Sequence, residues 1–197
     1  MVGGLVMRFA PIILAAAATL ALAACATDVS TVGQQFHPYS PAHGNYAMNG
    51  RDTFVIVQGG GYGVEQTAFR QAVLDNMQKS RAGLNTRFTS TPQNNPNKDY
   101  KVVMLFNGPV NAKATDLCRR PDQYASVTPM AGSETHVLAA FCQFDSLLTQ
   151  VSGRAAGVTT LADARFTSLI RQTMTDLFPK NDEDSKRDGG SSGDSIP

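Results

Sequence analysis

The glycine-rich stretch VIVQGGGYG, residues 55–63, has the residue types of a ligand-binding loop. An apolar run that ends in glycines and continues into a helical pattern is how nucleotide-binding loops begin. However, a phosphate loop also needs a lysine after its last glycine, and the dinucleotide fingerprint needs a glycine where Val64 stands. The segment therefore predicts a strand-to-helix turn, whose exposed amides are able to bind a carboxylate, a phosphate or a partner's backbone.

A second polar segment surrounds Cys118. Two arginines follow this cysteine directly, and Asp116, Asp122 and Tyr124 lie within a few residues. Such a cluster is either a binding loop or a solvated surface. The candidate binding residues are therefore Gly59, Gly60, Gly61, Tyr62, Gly63, Arg119 and Arg120.

The amino-terminal residues 1–24 have the pattern of an export signal. Arg8 is the only charged residue before Cys25, and the run FAPIILAAAATLALAA that follows it is almost entirely apolar. This run is short and alanine-rich for a membrane-spanning helix. Translation begins either at Met1 or at Met7, two alternatives that the pattern leaves open.

The tetrapeptide Leu22-Ala23-Ala24-Cys25 resembles the lipobox of bacterial lipoproteins. In that family, cleavage leaves the cysteine at the new amino terminus, where its sulfur carries a diacylglycerol and its amine a further acyl chain. The resemblance implies that Cys25 is lipidated and anchors the protein to a membrane. Ala26 stands where the family's inner-membrane retention signal has Asp, so the implied location is the outer membrane, facing the periplasm. The alternative is an ordinary secreted protein.

The two other cysteines, Cys118 and Cys142, are predicted to form a disulfide. An exported protein lies in a compartment that permits disulfides, and only one intramolecular pairing is available to these two residues. Two buried free thiols or a redox pair are the alternatives, and the spacing is not the CxxC of redox motifs.

Neither a metal, a cofactor nor a nucleic acid is predicted to bind. His37 and His43 flank a proline-containing turn, whereas His136 is far away inside a predicted strand, and zinc needs three or four converging ligands. The serines and threonines show no GxSxG elbow. The chain has 17 basic and 16 acidic residues without a basic stripe, which argues against a nucleic-acid surface.

Composition divides the chain after the signal into three parts. Residues 25–51 begin with the cysteine whose lipidation the lipobox resemblance implies, and the rest of the segment is rich in polar residues, proline and glycine, which predicts a flexible tether. Residues 180–197 have almost no apolar side chains and are predicted to be a disordered tail. Residues 52–179 are long enough for one domain with one core.

Hydrophobic periodicity within that domain predicts the element order β-α-β-β-β-α. Apolar residues recur every three or four positions in two helices, and β-branched or alternating runs mark the strands. The prediction is an α/β two-layer sandwich, with a mixed sheet of about four to five strands and two helices on one face. Its strands are residues 52–58, 100–106, 134–144 and 147–156 with an extra short strand at 87–90, and its helices begin near Val64 and after an N-cap at Thr160.

This order, together with the lipobox, resembles the small α/β module of outer-membrane lipoproteins. Penicillin-binding-protein activator lipoproteins, PelC and the amino-terminal domain of TolB contain that module. In those families the module binds other proteins and has no catalytic residues. The resemblance implies a non-enzymatic interaction or adaptor module of the cell envelope, whose partner is an envelope protein or a polysaccharide and whose oligomeric state stays open.

The alternative function is an envelope hydrolase or transferase that acts on peptidoglycan or saccharide. Such an enzyme needs two carboxylates that converge in a cleft, or His136 beside a carboxylate and a hydroxyl. The acidic residues of the predicted core are sparse and scattered along the sequence. The predicted contact surfaces of an interaction module are instead the glycine-rich turn, the 110–133 loop and the uncovered face of the sheet.

Overall fold

A computed structural model describes residues 28–36, 39–80, 84–125 and 134–179. The predicted signal at 1–24, the predicted lipidation site Cys25 and the predicted tail at 180–197 therefore lie outside the described residues. The strands are β1 (Val29–Gln35), β2 (Arg51–Gly59), β3 (Thr86–Thr89), β4 (Tyr100–Phe106), β5 (Glu134–Gln143) and β6 (Ser146–Ala156). The helices are α1 (Pro41–Met48), α2 (Gln66–Ser80), α3 (Ala114–Arg119) and α4 (Ala164–Leu177), with a 3-10 turn at Pro121–Tyr124.

The strands form one mixed sheet in the order β1-β6-β5-β4-β2-β3. Strand β2 is parallel to both β3 and β4, and the other neighbouring pairs are antiparallel. The α/β class and the predicted strands between β2 and β6 are confirmed. The predicted count of four to five strands is too low, because an additional strand precedes the predicted domain.

The predicted tether over residues 25–51 is wrong where the structure describes it. Strand β1 pairs with β6 along its whole length, from Val29 opposite Ala155 to Gln35 opposite Thr149. Helix α1 then buries Ala47 and Met48 in the main core. The domain boundary predicted at residue 52 moves back accordingly. Composition was misleading because β1 is an edge strand with little buried surface, so it tolerates the polar residues of a linker.

The first face of the sheet carries the main hydrophobic core. Helices α2 and α4 contact each other and lie on this face, as predicted from their apolar stripes. The buried Phe69 of α2 and Phe166 of α4 are 6.0 Å apart between ring centroids, and each also packs against Phe106 of β4. Apolar burial of this kind supplies most of the stability of a small domain.

The second face of the sheet is partly covered by a helix that was not predicted, which corrects the expectation of two helices and a fully uncovered second face. Helix α3 packs across β4, β5 and β6 and forms a separate buried cluster. The predicted disulfide is present in this cluster, where it joins Cys118 of α3 to Cys142 of β5 with a Cα–Cα distance of 5.6 Å. The second face stays open beside β1 and the first half of β5.

Candidate functional site

One row of paired residues marks the end of the sheet where the glycine-rich turn lies. Gly59 pairs with Phe106, Phe106 with Val137, Val137 with Gly153, and Gly153 with Thr31. Beyond this row lie the loops that follow β2, β4 and β6 and the residues that begin β1 and β5. We call these residues, 28, 60–65, 107–113, 134 and 157–163, the glycine-turn end.

The glycine-rich turn connects β2 to α2, as predicted, and the backbone conformation explains why two of its positions are glycine. Gly59 has a φ of 73°, and a Cβ at this position would lie 1.9 Å from the carbonyl oxygen of Phe106. Gly63 also has a positive φ, of 64°, but a Cβ there would meet nothing within 4 Å. Gly59 is therefore required for the close approach of β2 to β4, whereas Gly63 is required for the turn alone.

Tyr62 anchors this turn to the core. Its ring stacks on Phe69 at 6.4 Å and meets Phe166 edge-on at 5.8 Å between centroids. Its hydroxyl is hydrogen-bonded to the Thr135 hydroxyl at the start of β5. Burial raises the pKa of the Tyr62 phenol, and the charge of Asp163 raises it further. The turn is thus a fixed element, and Tyr62 is largely occupied by contacts within the domain.

Asn107 braces the same end of the sheet and was not predicted as a site residue. Its side-chain amide donates a hydrogen bond to the carbonyl of Gly60 at 2.8 Å, and its side-chain oxygen accepts one from the His136 backbone N–H at 2.9 Å. Its own N–H donates to the His136 carbonyl at 3.0 Å. The φ of Asn107 is 50°, a left-handed conformation that Asn tolerates better than most residues. The Asn-Gly-Pro sequence predicted only the end of β4.

A depression of about 250 Å³ opens between the loop after β4 and the second face of β5 and β6. Val110 stands on its rim with 90% of its surface exposed. The described beginning of the predicted 110–133 loop, at Val110 and Ala112, therefore adjoins the open sheet face. The depression is lined by Leu105, Gly108, Pro109, Val110, Ala112, His136, Val137, Leu138 and Ser152.

A row of polar side chains runs from this depression to the edge of the sheet. His136 Nε2 lies 3.1 Å from Glu134 Oε2, and Arg154 Nε lies 3.9 Å from Glu134 Oε1. Arg154 also donates a hydrogen bond to the Ser30 hydroxyl on β1 at 3.1 Å. These side chains are partly or largely exposed, so solvent screens their attraction and leaves them accessible to a partner.

This row contains the residue types that the alternative hydrolase function requires. His136 has a carboxylate within hydrogen-bond distance, and Ser152 lines the same depression. His136 pairs with Arg154 and Leu138 pairs with Ser152, so Ser152 and His136 are diagonal neighbours about 7 Å apart between Cα atoms. Among the described residues, no hydrogen bond joins the Ser152 hydroxyl to the His136 ring.

Arg119 and Arg120, the other candidate binding residues, lie away from the glycine-rich turn. The adjacent Cys118 is bonded to Cys142, and Cys142 pairs with Lys101 near the start of β4. Gly59 instead pairs with Phe106 at the end of β4, five residues further along that strand. At about 3.4 Å per residue the two segments are separated by about 17 Å along the sheet. Arg120 lies 3.8 Å from Asp116, within its own helix region.

Within residues 28–36, 39–80, 84–125 and 134–179, no three His, Cys, Asp or Glu side chains are grouped so that they could hold a metal ion. His43 is placed beside Ser40, with its Nδ1 3.3 Å from the hydroxyl, and His37 lies outside the described residues. None of the helices in the same ranges has both the length and the apolar character of a membrane span.

No protein-family model and no curated protein sequence matches this chain. Among solved structures, it is similar to a PelC dodecamer from Paraburkholderia phytofirmans, with 13% identity, a TM-score of 0.40 and coverage of 76% of this chain and 96% of that one. A structure of a point variant of that PelC matches with 11% identity, a TM-score of 0.39 and the same coverage. A DUF4136 family protein from Bacteroides thetaiotaomicron matches with 8% identity, a TM-score of 0.38 and coverage of 76% and 97%.

Proposed function

We propose that this protein is a lipid-anchored interaction module of the bacterial cell envelope, without catalytic activity. Acylated Cys25 holds it on the outer membrane, facing the periplasm, and the folded domain binds an envelope protein or a polysaccharide. The open second face of the sheet, with Val32 and the polar side chains of Ser152, His136 and Arg154, forms the contact surface.

The observation that carries this proposal is the open part of the second sheet face. Helix α3 covers only the middle of that face, so strands β1 and β6 leave polar side chains and Val32 exposed next to the depression. An apolar floor with a polar, solvent-exposed rim is the composition of many protein contact sites.

A site-specific crosslink tests the contact surface. A photo-crosslinking amino acid is placed at Val32, which is 64% exposed on this face, and a matched control is placed at Phe144, an exposed residue in the turn after β5. We expect one discrete adduct from the Val32 position in intact cells and none from Phe144. Adducts of equal yield at both positions, or none at Val32, contradict the assignment of this surface.

Cell fractionation tests the anchor separately. Cys25→Ser should move the protein from the membrane fraction to the soluble fraction. Ala26→Asp is the matched control, because the lipoprotein family uses Asp at this position to retain proteins in the inner membrane. A Cys25→Ser variant that remains in the membrane fraction contradicts the lipobox assignment.

The second candidate function is a hydrolase or transferase acting on peptidoglycan or saccharide. It is favoured by the 3.1 Å contact between His136 and Glu134 beside Ser152. A fluorophosphonate probe and a peptidoglycan-release assay test it, with Ser152→Ala as the control. Probe labelling or product release that depends on both Ser152 and His136 would show that the protein is an enzyme and would contradict the proposed non-catalytic function.

A further inference from the structure

We infer that the glycine-turn end lies against the surface of the phospholipid bilayer, with Val110 and Val64 in contact with it. The inference rests on the proposed acylation of Cys25 and adds an orientation to it. The flexible tether predicted for residues 25–51 would have left the orientation of the domain free. Strand β1 restricts the orientation of the domain, because it begins at Val29, only four positions after Cys25.

The covalent chain limits how far this end of the domain stands from the lipid. Three residues lie between Cys25 and Val29, and the four extended residue steps that join them span at most about 14 Å. Val29 pairs with Ala155, which pairs with Thr135 at the start of β5. All three lie beyond the row that contains Gly59 and Gly153, so the anchored end of β1 is the glycine-turn end.

The other end of the sheet is much farther from the anchor along the strands. Phe144 follows β5 nine residues after Thr135, which corresponds to about 30 Å at 3.4 Å per residue. This distance is about twice the longest reach of the residues between Cys25 and Val29. An upright domain therefore brings only the glycine-turn end to the membrane.

The glycine-turn end presents apolar side chains suited to the interfacial region of a bilayer. Val110 is 90% exposed on the loop after β4, and Val64 is 41% exposed on the loop after β2. Pro109 adjoins Val110, and the side chains of these three residues carry no polar atom that would lose a hydrogen bond on entering the interface. Burial of such side chains adds to the affinity that the acyl chains supply.

Nitroxide labelling of the lipidated full chain tests the orientation. The native cysteines are occupied by acylation at Cys25 and by the Cys118–Cys142 disulfide, so a single introduced cysteine gives one label. Labels at Val110→Cys and Val64→Cys are compared with labels at Phe144→Cys and Val32→Cys in phosphatidylethanolamine–phosphatidylglycerol vesicles. Val32 is 64% exposed on the edge strand, so a membrane-buried label at this position would indicate a domain that lies on its side.

We expect labels at positions 110 and 64 to be more accessible to oxygen than to a water-soluble nickel chelate, and labels at 144 and 32 to show the reverse. Equal accessibility at 110 and 144, a membrane-buried label at 32, or an aqueous label at 110 overturns the inference. Mass spectrometry of the amino-terminal peptide separates the two proposals. An acylated chain with an aqueous label at 110 contradicts the orientation alone, and a chain without acyl groups contradicts the proposed function with it.

Discussion

Asp52 and Arg87 form a bidentate ion pair between β2 and the edge strand β3. Arg87 Nε donates to Asp52 Oδ1 at 3.0 Å, and Arg87 Nη2 donates to Oδ2 at 2.5 Å. Asp52 is only 3% exposed and also accepts hydrogen bonds from the backbone N–H groups of Gln93 at 2.7 Å and Asn94 at 2.9 Å. One carboxylate therefore holds both β3 and the loop that leads to β4.

Replacing this carboxylate should destabilise the domain. Asp52→Asn removes the charge that the guanidinium and two N–H groups face, and we expect a loss of about 2 kcal/mol in the free energy of unfolding, measured by urea denaturation, because charge-assisted hydrogen bonds are weakened while the exposed Arg87 is solvated. Asp75→Asn is the matched control, since Asp75 is exposed on α2 and accepts a bond from Gln71. A loss no larger than that of the control would show that the ion pair contributes little.

The same carboxylate should make stability depend on acid pH. The hydrogen bonds and charge of Arg87, with the two backbone N–H groups, hold the pKa of Asp52 well below its usual range. A lowered folded-state pKa stabilises the fold above the unfolded-state pKa of about 3.9, and this contribution disappears as the pH falls toward the folded-state value. The wild type should lose stability between about pH 5 and pH 2 more steeply than Asp52→Asn does, as measured by urea denaturation across that range.

Gly59 and Gly63 should differ sharply in their tolerance of alanine. At Gly59 an added Cβ meets a backbone oxygen at 1.9 Å, so strands β2 and β4 must separate. We expect Gly59→Ala to cost more than about 3 kcal/mol in unfolding free energy. Gly63→Ala meets no atom and should cost about 1 kcal/mol, the penalty of a left-handed backbone. Equal losses would contradict the close approach of the two strands at Gly59.

Thr173 offers a stabilising substitution. Thr173 lies on the buried face of α4, and among the described residues its hydroxyl has no hydrogen-bond partner. Thr173→Val should raise the free energy of unfolding by about 1 kcal/mol, because an unpaired polar group is replaced by a methyl of the same shape. Thr149→Val is the control with the opposite sign, since Thr149 donates to the Leu177 carbonyl at 2.7 Å. Thermal denaturation of both variants measures the difference.

The disulfide should be recoverable as a linked peptide pair. Non-reducing mass spectrometry of exported protein should find Cys118 joined to Cys142, and recovery of both as free thiols would contradict the bond. Cys118→Ser should lower the unfolding free energy by about 3 kcal/mol, from the loop entropy of a 24-residue separation. The variant also loosens α3 from the sheet, so the exposure of Leu117 and Tyr124 to proteolysis should rise.

Several elements could be predicted because local pattern and tertiary burial agree there. The run Tyr100–Phe106 is apolar and β-branched, and it is a central strand buried on both faces. The three- and four-residue spacing of apolar residues in Ala164–Leu177 matches a helix with one buried face. Once export is predicted, only one intramolecular pairing is available to Cys118 and Cys142, so the disulfide could be predicted without any geometry.

The sequence by itself determined the α/β class, the central strands, the disulfide partners and the expectation of a lipid anchor, because each depends on local composition or on a short motif. Only the tertiary structure decided that Val29–Gln35 is a strand, since an edge strand buries little and keeps a linker's composition. It also decided that Asn107, Tyr62 and His136 meet at one end of the sheet while Arg119 and Arg120 lie at the other. Strand register sets which distant residues become neighbours, and register is a property of the assembled sheet that no single segment encodes.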